Sequence, residues 1–241
     1  MLLEMSNLPN QIPSAARRFD ALLIDFYGTI SAGDREAVER TCRRIVATFD
    51  IPMSAQQFAI LWGERFFQTI EESNHDAFRT LFECETVSLS DMLREYVGNV
   101  DPAPFVADLE AYWRDPPLHD DVLEFFEGLN LPIGCVSNAD TIPLKTAIAK
   151  HGLHFDVVVT SEDARCYKPD PAIFKRAVDM LGVDPRRVLH VGDSLHSDVN
   201  GAAKLGITTM WLRRADRIHD IGVADPHHMV STLDAIKHFL L

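Results

Sequence analysis

The sequence predicts an α/β chain, a doubly wound parallel sheet with a helical block inserted after its first strand. Three observations carry that expectation. Strands and helices alternate from Pro116-Pro117 onward, as parallel sheets with right-handed crossovers require. About 80 residues before that point show helical periodicity and no convincing strand. Short polar motifs follow several of the apolar strands, and the carboxyl edge of such a sheet is where an open α/β protein keeps its chemistry.

In order, Ala21-Leu22-Leu23-Ile24 opens the chain's first buried strand, over 21–25. Amphipathic helices are then expected over 37–49, 55–72, 78–98 and 104–113, punctuated by Pro52, Pro102 and Pro104. The alternating part follows, with helices over 120–129, 141–151, 171–181, 197–205 and 231–240. Its strands are expected over 132–137, 155–159, 187–191 and 207–212. The implied organisation is a tail (1–18), a core (19–32 and 114–241) and an inserted block (33–113). Gly33 and Pro116-Pro117 supply hinge material in the two linkers, and Asp34 is read as an N-cap or hinge residue.

Composition narrows the function. The chain has 241 residues, 46% hydrophobic and 24% charged, which suits one globular body with an insertion. The formal charge of -13 disfavours nucleic acid or an anionic membrane as partner, because phosphates would repel it. Cys42, Cys84, Cys135 and Cys166 lack metal or disulfide spacing and read as small buried hydrophobes in a reducing compartment. With no long apolar run and a polar, proline-broken start, a cytoplasmic location and a small-molecule partner are expected.

Four motifs carry the chemistry. Asp25-Phe26-Tyr27-Gly28-Thr29 sets a carboxylate, a glycine turn and a hydroxyl at the end of the first strand. Val136-Ser137-Asn138 sets a hydroxyl and an amide at the end of the second. Lys168-Pro169-Asp170-Pro171 starts a helix, with Asp170 as its cap. Gly192-Asp193-Ser194 is followed by Asp198 and Gly201. Any one of these could be turn or cap chemistry alone; their joint placement after strands argues for one site. His190 reads as a hydrogen-bonded core histidine, His227-His228 carry no zinc pattern, and the Arg213, Arg214 and Arg217 loop reads as solvated.

In order and spacing the four motifs resemble the haloacid dehalogenase (HAD) superfamily of hydrolases, over about residues 20–240. The resemblance implies a Rossmann-like core under a helical cap and a nucleophilic Asp25. It places Thr29, Ser137 and Asn138 near the transferred group and makes Lys168 the balancing cation. Mg²⁺ would be held by Asp25, Asp193, Asp198 and the backbone carbonyl of Tyr27. Three carboxylates against one ammonium call for a further cation on physical grounds alone, and Mg²⁺ prefers hard oxygen ligands.

The details of the resemblance divide. Tyr27 stands where the superfamily's phosphatases carry a second, proton-donating aspartate, and tyrosine there is like its 2-haloacid dehalogenases, whose halide leaves without a proton. Against that, Asp193 is a neutral residue in those dehalogenases. Gly63 stands in place of the arginine beside a tryptophan, Arg65 being one turn on, and Phe174 stands in place of a tyrosine. Trp62 with Phe58, Phe66 and Phe67 reads mostly as cap core. The favoured expectation is a Mg²⁺-dependent phosphatase of small phosphorylated metabolites. The alternatives are a metal-free 2-haloacid dehalogenase and a catalytically weak, ligand- or partner-binding descendant.

Overall fold

The computed structural model describes residues 18–215 and 224–240. The expected tail over 1–18 and Arg217 therefore fall almost wholly outside the described residues. Within them, six parallel strands form one sheet: β1 (Ala21–Ile24), β2 (Ile133–Ser137), β3 (Val157–Thr160), β4 (Val188–Gly192), β5 (Thr208–Leu212) and β6 (His228–Val230). Their order is β3-β2-β1-β4-β5-β6. The chain builds outward from β1 to β3, returns to β4 and builds the other way, so the order reverses between β1 and β4. A crevice opens outside the carboxyl ends of the strands at such a reversal. Asp25 and Asp193 each lie one residue beyond those two strands.

β1 is buried at every position, and so are β2 and β4, which explains why these strands read as unbroken apolar runs. β6 was not expected from the sequence. It has three residues at the sheet edge, none of them fully buried, and so lacks a hydrophobic signal.

Four helices separate β1 from β2: α1 (Asp34–Phe49), α2 (Ala55–Glu71), α3 (Leu81–Tyr96) and α4 (Ala103–Arg114). They share an apolar cluster that includes Ile45, Phe58, Trp62, Met92 and Leu109 and is joined from outside the four helices by Tyr167. Trp62 donates its indole N–H to Ser88 Oγ at 2.9 Å inside this cluster, whereas Phe67 is 65% exposed. Capping boxes start α2 at Ser54/Gln57 and α3 at Thr80/Glu83, each cap worth about 1 kcal/mol. Asp34 is not an N-cap. Gly33, left-handed at φ 82°, holds that place and Asp34 begins α1, because a turn this sharp favours a residue without a side chain.

The remaining helices are α5 (Val122–Phe126), α6 (Thr141–Lys150), α7 (Ser161–Ala164), α8 (Pro171–Leu181), α9 (Gly201–Ala203) and α10 (Asp234–Leu240). All four cysteines are buried and free. Among the described residues no helix is long and apolar enough to cross a membrane.

One buried acid in the bundle has a measurable consequence. Glu85 on α3 is 9% exposed, and burial alone pushes its carboxyl up to about 8. The folded chain therefore holds a proton that the unfolded chain has released, from about pH 4.5 to 8. Stability falls as pH rises through that window. Glu85→Gln is expected to match wild type near pH 4.5 and to be more stable by a few kcal/mol at pH 8.5, read by denaturant unfolding. Equal stability at pH 8.5 would contradict a desolvated carboxyl.

Candidate active site

Six of the side chains singled out from the four motifs come together over β1, β2 and β4. Asp25, Thr29, Ser137, Lys168, Asp193 and Asp198 are each 5% exposed or less. One carboxylate oxygen from each of Asp25, Asp193 and Asp198 lies within 4.8 Å of the other two. Lys168 is fixed among them: its ammonium donates to Asp25 Oδ1 at 2.6 Å, to Asp198 Oδ1 at 2.7 Å and to the Val136 carbonyl at 3.2 Å. All three of its donors are used.

Each motif residue has a local reason for its place. Gly192 is required because a Cβ there would lie 2.1 Å from Asp198 Cγ, so only glycine lets that carboxylate press against the strand end. Asp198 comes from a π-helical segment, Leu195–Asn200, running into α9; the sequence predicts an ordinary helix over 197–205. The wider winding lets Ser194 O accept from both Asp198 N and Val199 N, at 3.1 and 3.2 Å, and such segments concentrate at functional sites. Asp170 caps α8, as expected, by accepting from Ala172 N.

The electrostatics are uneven. Burial raises the Asp25 carboxyl above its usual range, with Lys168 only partly opposing it and Asp198 adding to it. For Asp198 burial acts the same way, but Lys168 and His190 outweigh it and hold the carboxyl well below that range. Lys168, despite burial, is held above its ordinary value by Asp198 and Asp25. One ammonium is thus shared by two carboxylates while Asp193 stands outside that pair, its Oδ1 accepting from Thr29 Oγ1 at 3.1 Å. Hard oxygen donors in excess of positive charge are a donor set that fits Mg²⁺.

Some side chains do other work than the motifs suggested. The Asn138 amide faces Lys168: its Oδ1 accepts from Lys168 N at 2.7 Å and its Nδ2 donates to Lys168 O at 3.3 Å. It joins two loops, while Ser137 Oγ donates to Asp25 Oδ1 at 3.2 Å. The Tyr27 hydroxyl donates to the Trp113 carbonyl at 2.7 Å, tying motif one to the end of α4, and burial raises its pKa. Arg65 pairs with Glu95 on α3. Arg214 is not solvated. It is 6% exposed, its guanidinium pairs with Asp121 at 2.9 Å, and it also donates to the Thr29 carbonyl at 2.9 Å. Its partner lies 93 residues away, so no local pattern marked it. Arg213 on the same loop is exposed, as expected.

His190 is buried with Nε2 3.0 Å from Asp198 Oδ1 and its ring edge-on to Phe174, matching the core-histidine expectation. His227 meets Thr209 rather than a metal-like cluster. A surface hollow of about 650 Å³ beside Leu131, Pro132 and His154 lies at the amino ends of β2 and β3, across the sheet from the carboxylates.

The haloacid dehalogenase-like hydrolase family model matches residues 19–206, spanning every motif residue. The chain belongs to the haloacid dehalogenase-like hydrolases. Within this family it is similar to N-acylneuraminate-9-phosphatase of Mus musculus, 35% identical over 173 residues covering 68% of this chain and 70% of that one. It is also similar to haloacid dehalogenase-like hydrolase domain-containing protein 3 of Danio rerio, 39% identical over 119 residues. That match covers 48% of this chain and 49% of the relative, so it spans about half of each. The L-2-haloacid dehalogenase structure from Xanthobacter autotrophicus superposes with a TM-score of 0.75 at 19% identity, over 91% of this chain and 97% of that one, which shows the HAD fold. Phosphatases and dehalogenases thus both stand among this hydrolase's relatives.

Proposed function

We propose that this HAD hydrolase is a Mg²⁺-dependent phosphatase of small phosphorylated metabolites, with Asp25 as nucleophile and α1–α4 as a cap over the site. The observation that carries this reading is Asp193, a third carboxylate beside Asp25 and Asp198 with one lysine between them. Asp25, Asp193, Asp198 and the Tyr27 carbonyl would hold the ion. Bound there, Mg²⁺ supplies charge stabilisation for the phosphoryl oxygens and screens them from the attacking carboxylate.

An Asp25 oxygen attacks phosphorus as the bond to the leaving oxygen breaks, giving an aspartyl phosphate. Water then attacks that phosphorus and returns phosphate and free Asp25. Lys168 holds Asp25 oriented and supplies a fixed positive charge. No carboxyl occupies position 27, so the leaving oxygen takes its proton from solvent.

The test follows phosphate and chloride from an aryl phosphate and from 2-chloropropionate, each with Mg²⁺ and with EDTA. Phosphate release that EDTA abolishes is expected. Chloride release that survives EDTA would overturn the reading in favour of the dehalogenase, which Tyr27 favours because a departing halide needs no acid.

Tyr27 gives a second handle. Tyr27→Asp is expected to raise the rate on alkyl phosphates relative to aryl phosphates, by up to about 10²-fold, since only poor leaving groups need the proton. Tyr27→Phe, which removes the Trp113 bond without adding an acid, should leave that ratio unchanged. An equal effect of Tyr27→Asp on both classes would show that a missing acid does not limit the enzyme.

A further inference from the structure

We propose that Asp140 is a positioning residue, the core-side half of a latch that couples closure of the α1–α4 bundle to placement of Ser137, Asn138 and Lys168. The inference rests on reading that bundle as a cap.

Asp140 occupies the N-cap position of α6, where an aspartate ordinarily accepts from its own helix. Here it makes no such bond. Glu162 Oε2 instead accepts from Thr141 N at 2.6 Å, serving the first turn of α6 from β3's side of the sheet. The freed Asp140 carboxylate crosses to the bundle and accepts from Leu81 N at 2.6 Å and Phe82 N at 2.9 Å, the first two amides of α3. Within the bundle, Thr80 Oγ1 accepts from Glu83 N and Glu83 Oε2 accepts from Thr80 N. All four free donors at the start of α3 are thereby satisfied, half of them by a residue outside the bundle. Asp140 is 9% exposed, so its carboxylate is desolvated in this arrangement and has these two amides as its replacement for water.

A second grip lies beside the first. Tyr167, immediately before Lys168, donates its backbone N–H to Asn74 Oδ1 at 2.7 Å and its hydroxyl to the Arg79 carbonyl at 2.9 Å, with its ring stacked on Phe78. Residues 74–82 thus hold both catalytic loops, the one after β2 and the one before α8. Asn138 fastens those two loops to each other. The carboxylates beneath are closed off, at 1–5% exposure. Substrate entry therefore requires this face of the bundle to lift. When it returns, the contacts that seal the site are the same ones that seat the loops carrying Ser137 and Lys168. The two linkers to the bundle lie near Gly33 and Pro117, so Asp140 acts at the moving side rather than at the hinge.

The experiment compares the full-length wild type with Asp140→Ala and Asp140→Asn by hydrogen exchange, together with steady-state hydrolysis of an aryl phosphate in Mg²⁺. In Asp140→Ala, exchange over residues 74–85 is expected to rise about 10-fold or more while β1 and β4 keep their protection. KM should rise and kcat/KM fall by roughly 10- to 100-fold, the cost of misplaced catalytic loops. Asp140→Asn retains one acceptor but turns an N–H donor toward another donor, so it should fall between the two and serves if the alanine variant does not fold. Unchanged exchange over 74–85 in both variants would overturn the latch. A rise spread evenly over the sheet strands would also overturn it, by showing a general structural role. A wild type that releases no phosphate would count against the phosphatase reading alone, because the exchange comparison needs no substrate.

Discussion

Asp25→Asn is expected to abolish phosphate release, with kcat lower by on the order of 10⁴-fold or more, because the amide cannot form the covalent intermediate. The fold should survive the change. Asp25 is a desolvated carboxylate that shares its ion-pair partner Lys168 with Asp198, and burial already raises its pKa. Replacing it with a neutral side chain of the same shape removes a buried charge, while the amide oxygen still accepts from Lys168 and Ser137. Unfolding temperature should therefore equal or exceed that of wild type at neutral pH. Retained turnover in a correctly folded variant would remove Asp25 as nucleophile, and a collapse in stability would mean that Lys168 depends on it as a structural partner.

What the sequence made legible here follows physical range. β1, β2 and β4 are buried on both faces, so they appear as apolar runs, and a polar residue ending each run marks the carboxyl edge. That is why Asp25, Ser137 and Asp193 could be read at the same edge before any coordinates. Gly192 was visible as a motif glycine, but its reason, the Asp198 carboxylate against its Cα, is a tertiary fact. Arg214 and Asp140 were illegible for the same reason. Each serves a backbone group distant in sequence, Arg214 the Thr29 carbonyl and Asp140 the amides of Leu81 and Phe82; Arg214 sits in no local pattern, and the place of Asp140 before α6 marks only an ordinary N-cap. The π-helical turn was equally hidden, since hydrophobic spacing over six residues does not separate it from an α-helix.

Asp193→Asn separates the two chemistries that the family offers. The three carboxylates face a single buried ammonium, and this substitution removes one negative charge while keeping the acceptor for Thr29 Oγ1. The Trp211 indole donates to the Asp193 backbone carbonyl, so that contact is indifferent to the side chain and the loop should hold its place. For a Mg²⁺-dependent phosphatase the change weakens the ion's site and its hold on the phosphoryl oxygens. A loss of several kcal/mol in transition-state stabilisation corresponds to a fall of about 10³-fold in kcat/KM, with a higher Mg²⁺ concentration for half-maximal rate. For a metal-free dehalogenase the same substitution brings position 193 nearer the neutral residue that the resemblance implies there, and chloride release from 2-chloropropionate would be kept or improved. The comparison needs both substrates on one variant. A fall in phosphate release that added Mg²⁺ partly restores assigns Asp193 to the ion, and an undiminished rate in EDTA would take the metal out of the reaction.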